Sequence, residues 1–418
     1  MNSIRVESTD KLYGDVTIQG CKNAVLPILA ATLLNKKQNV IHNCPMLSDV
    51  EITLDIIKSL GVKACLIGST AVIDSSSISD YKIQKEMMGK LRSSIVLVAP
   101  VLSRCKKAVF TMPGGCEIGT RPIDIHLAAF EKMGVDVECS DGIVNCNAKN
   151  IHGADIHLPV PSVGATENVM LLACVGKGVT NIYNAAKEPE ICDLAQFLNS
   201  MGARVFGAGT ETVTIYAVKD LDESEYTVMP DRIEAITFAC ACACCGGVVN
   251  LHNINYNHIS NVMTLMQNMG LKVAPYSDKM IVSSKSKLRC PNYVSTRPYP
   301  GFPTDAQSIL MSVMSMSEGS GKIVENIFEN RLKHAYELVK MGADIEVLGN
   351  SAFVTGKTLT GGTVDACDLR SGAALVIAAL GSDGESVVNK CEYIDRGYDS
   401  FVPKLKNLGA RIERVKSQ

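Results

Sequence analysis

The chain has 418 residues and a mass of 44.8 kDa, enough for two or three domains at roughly 150 residues each. With 46% hydrophobic and 20% charged residues, its composition is globular and not that of a disordered or collagen-like chain. Its 41 basic and 43 acidic residues give a net charge of −2, with no Trp and 5% aromatics, which argues against a general nucleic-acid or anionic-membrane binder and against base-stacking platforms, while leaving room for a local basic pocket.

The first segment, MNSIRVESTDKLYGD, lacks the long apolar core of a signal peptide. No stretch reaches the ~20 apolar residues of a membrane span, so a soluble cytoplasmic protein is expected. An apolar helix is then predicted in AVLPILAATLL, followed by the strand NVIHN and an amphipathic helix. In that helix Ser48 and Glu51 form a capping-box pattern, and Val50, Leu54 and Ile57 line one stripe. It should stop at Gly61.

The same order returns five times. The apolar helices are SSIVLVAPVL, ENVMLLACVG, EAITFACACA, QSILMSVMSM and AALVIAAL, and the strands are KAVFT, VTNIY, GVVNL, KIVEN and SVVNK. The closing glycines are Gly134, Gly202, Gly270, Gly342 and Gly409, so the six lie 73, 68, 68, 72 and 67 residues apart. Glycine suits each stop because it tolerates the left-handed cap conformation. Helices with no polar face must be buried. Six repeats of about 70 residues therefore imply an α/β fold with two bundles of three buried helices, each walled by sheets. Two similar domains facing each other across a cleft are expected.

Charged and polar residues collect at the starts of the buried helices: Lys22 and Asn23, Arg92, Arg232, Asp305, and Asp368 with Arg370. One such residue alone reads best as a cap or a solvated end. Their recurrence at equivalent points favours a polyanionic ligand, since helix N-termini already attract anions. The second repeat is the odd one. From strand to glycine it spans 27 residues against 21 to 25 elsewhere, and the excess falls in Met112–Pro122, MPGGCEIGTRP. Three glycines and two prolines predict a mobile loop of the kind that forms lids. Cys116 at its tip, five residues from Arg121, reads either as a reactive thiol with a cation nearby or as an incidental loop cysteine.

Other motifs carry less. The sixteen cysteines sit singly in apolar runs, as do Cys65 and Cys174, and suggest packing rather than a disulfide framework. The CxxC of Cys242 and Cys245, among Cys240 and Cys244, has no second pair and reads as core packing rather than a metal site. The run EGSGKI at 318–323 lacks the first Gly and the final Ser or Thr of a phosphate-binding loop. His126, His252 and His334 read as structural or solvent-facing.

In this order, the segments GCKNAVLPILAA, PGGCEIGTRPIDIHL, SVGAT, EPEICD, PDRIE, FPTDAQ, FENR, DLR and IDRGY resemble the enolpyruvyl transferases over essentially the whole chain. The resemblance implies a two-domain inside-out α/β barrel of six repeats, three per domain. One domain would span 22–229 and the other 1–21 with 230–418, with the active site in the interdomain cleft. It implies transfer of the enolpyruvyl group of phosphoenolpyruvate to the 3′-hydroxyl of UDP-N-acetylglucosamine, with release of phosphate. Cys116 would be the general acid and could form a covalent adduct; Asp305 would be the carboxylate for the sugar hydroxyl. Lys22, Asn23, Arg121, Arg370 and Arg396 would bind phosphoenolpyruvate. Arg92, Arg121, Pro122, Ile123, Asp124, Ile125, Ser162, Val163, Gly164, Asp305 and Ile327 would contact the nucleotide-sugar. Asp368, Glu329 and Arg331 would support them. Neither a metal nor another cofactor is implied, and Cys116 would be alkylated by fosfomycin. The competing expectations are an enolpyruvylshikimate phosphate synthase-like transferase and a non-catalytic repeat scaffold such as a DNA-encircling clamp, which the charge opposes.

Overall fold

Six helices carry apolar residues on every side, and all six are buried. They are α1 (Lys22–Ala31), α2 (Val98–Cys105, led in by a 3-10 helix at Arg92–Leu97) and α3 (Val163–Ala173). The others are α4 (Arg232–Cys245), α5 (Thr304–Met316) and α6 (Leu369–Leu380). The computed structural model describes residues 2–113, 118–119, 122–285 and 287–416. It divides into two units, Met1–Gln19 with Glu117–Thr120 and Pro230–Gln418, and Gly20–Cys116 with Arg121–Met229. Helices α4, α5 and α6 pack on one another in the core of the first unit. Helices α1, α2 and α3 lie in the separate core of the second. Each unit is inside-out: apolar helices within, sheets around them.

Among the described residues there are five four-stranded sheets and one of three strands. A typical sheet runs in the order 155–157, 179–183, 212–216, 204–206, its first pair parallel and the others antiparallel. The outer helix Pro189–Ser200 joins the second strand to the last. Three sheets borrow strands from far away in sequence. Asn2–Glu7 enters between Glu385–Asn389 and Ile412–Lys416, antiparallel to both, and completes the sixth sheet. Leu12–Thr17 pairs in parallel with Gly247–His252, and Glu225–Thr227 with Gln38–His42. In the second repeat a single bridge, Lys82 to Val109, stands where the fourth strand would be.

The six closing glycines all have left-handed φ: +88, +85, +92, +113, +87 and +95° in chain order. That is the conformation the sequence spacing required. The expected capping box at Ser48 is not formed. The helix Ser48–Ser59 already begins at Ser48, Leu47 occupies the N-cap, and no side chain caps it. Ser48 lies one residue too late to cap. Cys65 also departs from expectation: it is exposed on the edge strand Lys63–Ile67, whereas Cys174 is buried. The cysteine run of α4 packs in the core, with Cys240 Sγ 3.7 Å from Met266 Sδ and Cys242 Sγ donating to Val282 O at 3.7 Å. Burial pushes the Cys242 thiol up to about 11. Among the described residues, no helix is long and apolar enough to cross a membrane.

Candidate active site

Each buried helix begins with residues the sequence singled out. In the second unit Lys22 opens α1, and its Nζ lies 2.9 Å from Asp49 Oδ2. Asp49 is fully buried, whereas the Lys22 side chain is 15% exposed. The anion is the foundation and the cation is what solvent meets. Asn23 and Arg92 are half-buried. Ser162 is the N-cap of α3, its Oγ accepting from Ala165 N at 3.4 Å. Val163 and Gly164 form the first turn of that helix, and a Cβ on Gly164 would come within 2.9 Å of His126 Nε2. Ile123 is buried at the N-cap of the helix Asp124–Lys132, with Pro122 and Asp124 exposed and Ile125 half-buried. Cys116 and Arg121 lie outside the described residues.

In the first unit Asp305 is the second residue of α5 and does not cap it. Its carboxylate is shared. Arg331 Nη2 reaches Oδ1 at 3.0 Å and Arg370 Nε reaches Oδ2 at 3.3 Å. The polarity is the reverse of the Lys22 pair: the arginine side chains are only 4% and 3% exposed, the aspartate 27%. His334 is buried beside them, and its Nδ1 lies 3.1 Å from Arg331 O. Burial lowers this imidazole to about 4 against the pull of Asp368. It is therefore neutral at pH 7, and its Nδ1–H donates to that carbonyl.

Asp368 is the N-cap of α6, its Oδ1 accepting from Arg370 N at 2.9 Å and Ser371 N at 3.1 Å. Ser371 Oγ accepts in return from Asp368 N at 2.7 Å. This box fixes the helix start that carries Arg370. Arg396 is half-buried just after the short helix Glu392–Asp395, and Ile327 and Glu329 are exposed. Ile118 O accepts from Asn330 N at 3.0 Å. Gly119 has φ +146°, a conformation that favours glycine, and a Cβ there would sit 2.3 Å from Glu329 Oε2.

Three site-building residues escaped the sequence reading. Asp49 is one. Glu325 is another: it is buried, and its Oε1 accepts from Thr296 Oγ1, Ile327 N and Phe328 N, while its Oε2 takes Thr304 Oγ1 at 2.9 Å. It ties the Ile327 turn to the start of α5. Gln19 is the third, bound to residues on both sides of Tyr398. No local spacing marks such pairings; only the lone acid in KIVEN, directly after a strand, hinted at one of them.

These buried helix starts, repeated through two inside-out α/β units, define a class of enzyme. Residues 6–405 match the family model for EPSP synthase (3-phosphoshikimate 1-carboxyvinyltransferase), and the chain belongs to this family of enolpyruvyl (carboxyvinyl) transferases. Within it, the chain is 45% identical over 416 residues to UDP-N-acetylglucosamine 1-carboxyvinyltransferase 2 of Caldanaerobacter subterraneus subsp. tengcongensis, covering 99% of this chain and 100% of that one. It is 41% identical over 417 residues to UDP-N-acetylglucosamine 1-carboxyvinyltransferase of Geobacter metallireducens, covering both in full. The fold is similar to that of the enolpyruvyl transferase NikO from Streptomyces tendae, with a TM-score of 0.91 at 24% identity over 100% of this chain and 99% of the other. Membership of an enzyme family sets aside the non-catalytic scaffold.

Proposed function

We propose that this enzyme transfers the enolpyruvyl group of phosphoenolpyruvate to the 3′-hydroxyl of UDP-N-acetylglucosamine and releases phosphate, the first committed step of peptidoglycan synthesis. The observation that carries the reading is the 41–45% identity, along the whole chain, to relatives named for a carboxyvinyl transfer to that sugar nucleotide. The same likeness favours it over a shikimate-phosphate acceptor.

The local geometry of both units supports the chemistry. A proton must reach the methylene carbon and the sugar hydroxyl must lose one as the C2–O3′ bond forms; the new methyl group must then give up a proton as the bond from C2 to the phosphate oxygen breaks, which restores the double bond in the product. Asp305 offers an acceptor-only carboxylate, and two adjacent guanidiniums favour its charged form. It takes the hydroxyl proton. Cys116 supplies the proton to carbon and can bond C2 to give a covalent adduct. Lys22 presents its ammonium at a helix N-terminus, a setting suited to phosphate. With Asn23, Arg121, Arg370 and Arg396 it holds the phosphate and carboxylate of phosphoenolpyruvate. Arg92, Pro122 to Ile125, Ser162 to Gly164 and Ile327 hold the nucleotide-sugar. This assignment requires the two half-sites to meet around one substrate pair in an interdomain cleft.

A cytoplasmic location, a part in cell shape and division through wall synthesis, and alkylation of Cys116 by fosfomycin belong to the same reading. Phosphate release from phosphoenolpyruvate, with and without UDP-N-acetylglucosamine, tests it in wild type and Cys116→Ser. Sugar-dependent release that falls sharply in the variant is expected. Release supported by shikimate 3-phosphate and not by the sugar nucleotide would replace the acceptor.

A further inference from the structure

We infer that Tyr398 is a positioning residue for this transfer, holding the Arg370 guanidinium in line with Asp305; the inference rests on the reaction proposed above. Tyr398 is 2% exposed, and its ring lies against Arg370, with the guanidinium carbon 5.2 Å from the ring centroid. Its hydroxyl lies 2.9 Å from Thr237 Oγ1. Thr237 is fully buried on α4 and donates its own proton to Ile233 O at 2.7 Å. The tyrosine hydroxyl is therefore the donor in the pair, and α4 tethers the ring.

The backbone around Tyr398 is held as firmly. Gln19 Nε2 donates to Gly397 O at 2.9 Å, and Gln19 Oε1 accepts from Asp399 N at 2.6 Å. One amide thus clamps the turn on both sides of the ring. Phe401 packs beside it, with centroids 4.8 Å apart. A Cβ on Gly397 would come within 2.5 Å of Leu369 Cδ1, so the turn sits directly on the start of α6, next to Arg370.

Arg370 is then fixed on its face by the ring and on its edge by Asp305, 3.3 Å from Nε. Its Nη1 has no hydrogen-bond partner among the described residues. That leaves one N–H group for a substrate oxygen. A planar guanidinium binds oxyanions only when its plane is correctly set. Tyr398 sets that plane without touching substrate.

The test uses Tyr398→Leu, Tyr398→Phe and Thr237→Val in the full chain, with steady-state phosphate release, its pH profile and melting temperature. Tyr398→Leu should lower kcat by about 10- to 100-fold, the scale of a reacting group displaced by an ångström. Its acid limb should move to higher pH, because a loosened Arg370 no longer favours the charged form of Asp305. Tyr398→Phe keeps the ring, so it should restore most of kcat. Phe and Thr237→Val both break the bond between the two hydroxyls, and Phe also loses the hydroxyl's hydrogen bond to Arg370, so Phe should lower kcat at least as much as Val, and the double variant should be no worse than Phe. A folded Leu variant with wild-type kcat and an unmoved acid limb overturns the inference. Should Leu not fold, Phe and Val decide: absent effects, or a double variant worse than Phe alone, overturn it. A wild type silent with UDP-N-acetylglucosamine overturns the parent reaction instead, a result separable from an active wild type with indifferent variants.

Discussion

The two units start their buried helices in the same way and then invert the charge they present. At α1 a buried carboxylate, Asp49, underlies a partly exposed ammonium, Lys22. At α5 two buried guanidiniums, Arg331 and Arg370, underlie a partly exposed carboxylate, Asp305. A buried charge is tolerated only when paired, so the hidden Asp49 and Arg331 act as supports, while Arg370 supports Asp305 and, in the proposed reaction, also meets substrate. In the reaction proposed above, one unit would thus offer a cation for an anionic substrate group and the other a base. A repeat fold gains two chemistries from one architecture by exchanging which partner is buried.

The most severe way to break this contrast is Asp305→Asn. In the proposed reaction this removes the general base, which is expected to cost roughly 10²- to 10⁴-fold in kcat, with nucleotide-sugar binding retained in calorimetry. Near-normal turnover would mean that the exposed carboxylate is only a structural partner of the arginines.

The next test concerns stability. Lys22→Ala leaves fully buried Asp49 without its ammonium, and breaking such a pair is expected to cost about 3 kcal/mol in urea unfolding, allowing for the partial exposure of the lysine. Asp49→Ala frees a lysine that can reach water and should cost less. The order should reverse in the other unit, where Asp305→Ala strands two buried arginines and should cost more than Arg331→Met. The same order in both units would refute the inversion.

A third prediction compares Asp49 with Asp193, another buried carboxylate of the second unit. Asp193 has neutral donors, Tyr226 Oη at 2.7 Å and Met229 N at 3.2 Å, in place of an ammonium. Burial outweighs these bonds and raises its pKa from 3.8 to about 6. Below the ordinary value both folded and unfolded chains hold the proton, and no cost arises. As pH climbs through 6 the folded chain must ionise a buried group that the unfolded chain ionised earlier, so stability contributed by this group is lost. Asp193→Asn should therefore stabilise the protein by about 1–3 kcal/mol at neutral pH, and the advantage should vanish by about pH 4. An advantage independent of pH would assign the effect to packing.

How far these features could be read from the sequence follows from their range. Apolar helices and left-handed glycines are local signals, and the repeats of both units were legible from them. So were the charged helix starts, because a Lys or Asp heading an apolar run stands out. Partners were not legible. Asp49 went unmarked between Ser48 and Glu51, and its turn toward Lys22 depends on packing between two helices. Asn2–Glu7 completes a sheet whose other strands all lie in the last sixty or so residues of the chain, and Glu225–Thr227 is too short to show a period. The ring of Tyr398 under Arg370 joins two segments with no shared spacing. In the thiol loop, named from composition and resemblance, residues 114–117, 120 and 121 lie outside the described residues, Cys116 among them.

The smallest effect checks that the frame beneath the inversion is the same in both units. Gly202 closes an outer helix of the second unit at φ +92°, with nothing within 4 Å of where a Cβ would be. Gly409 closes its counterpart in the first at +95°, with Lys11 O at an ordinary 3.9 Å. Neither site carries a clash, so alanine there reports only the backbone cost of the left-handed conformation. Each substitution should lower stability by about 1 kcal/mol, shift the urea midpoint without altering the slope, and leave kcat untouched. Equal costs would place the difference between the units in their buried charges alone. Costs that differ by more than about 1 kcal/mol would show that the repeats share a pattern but not an equivalent frame, and the charge inversion would then have to be derived separately for each unit.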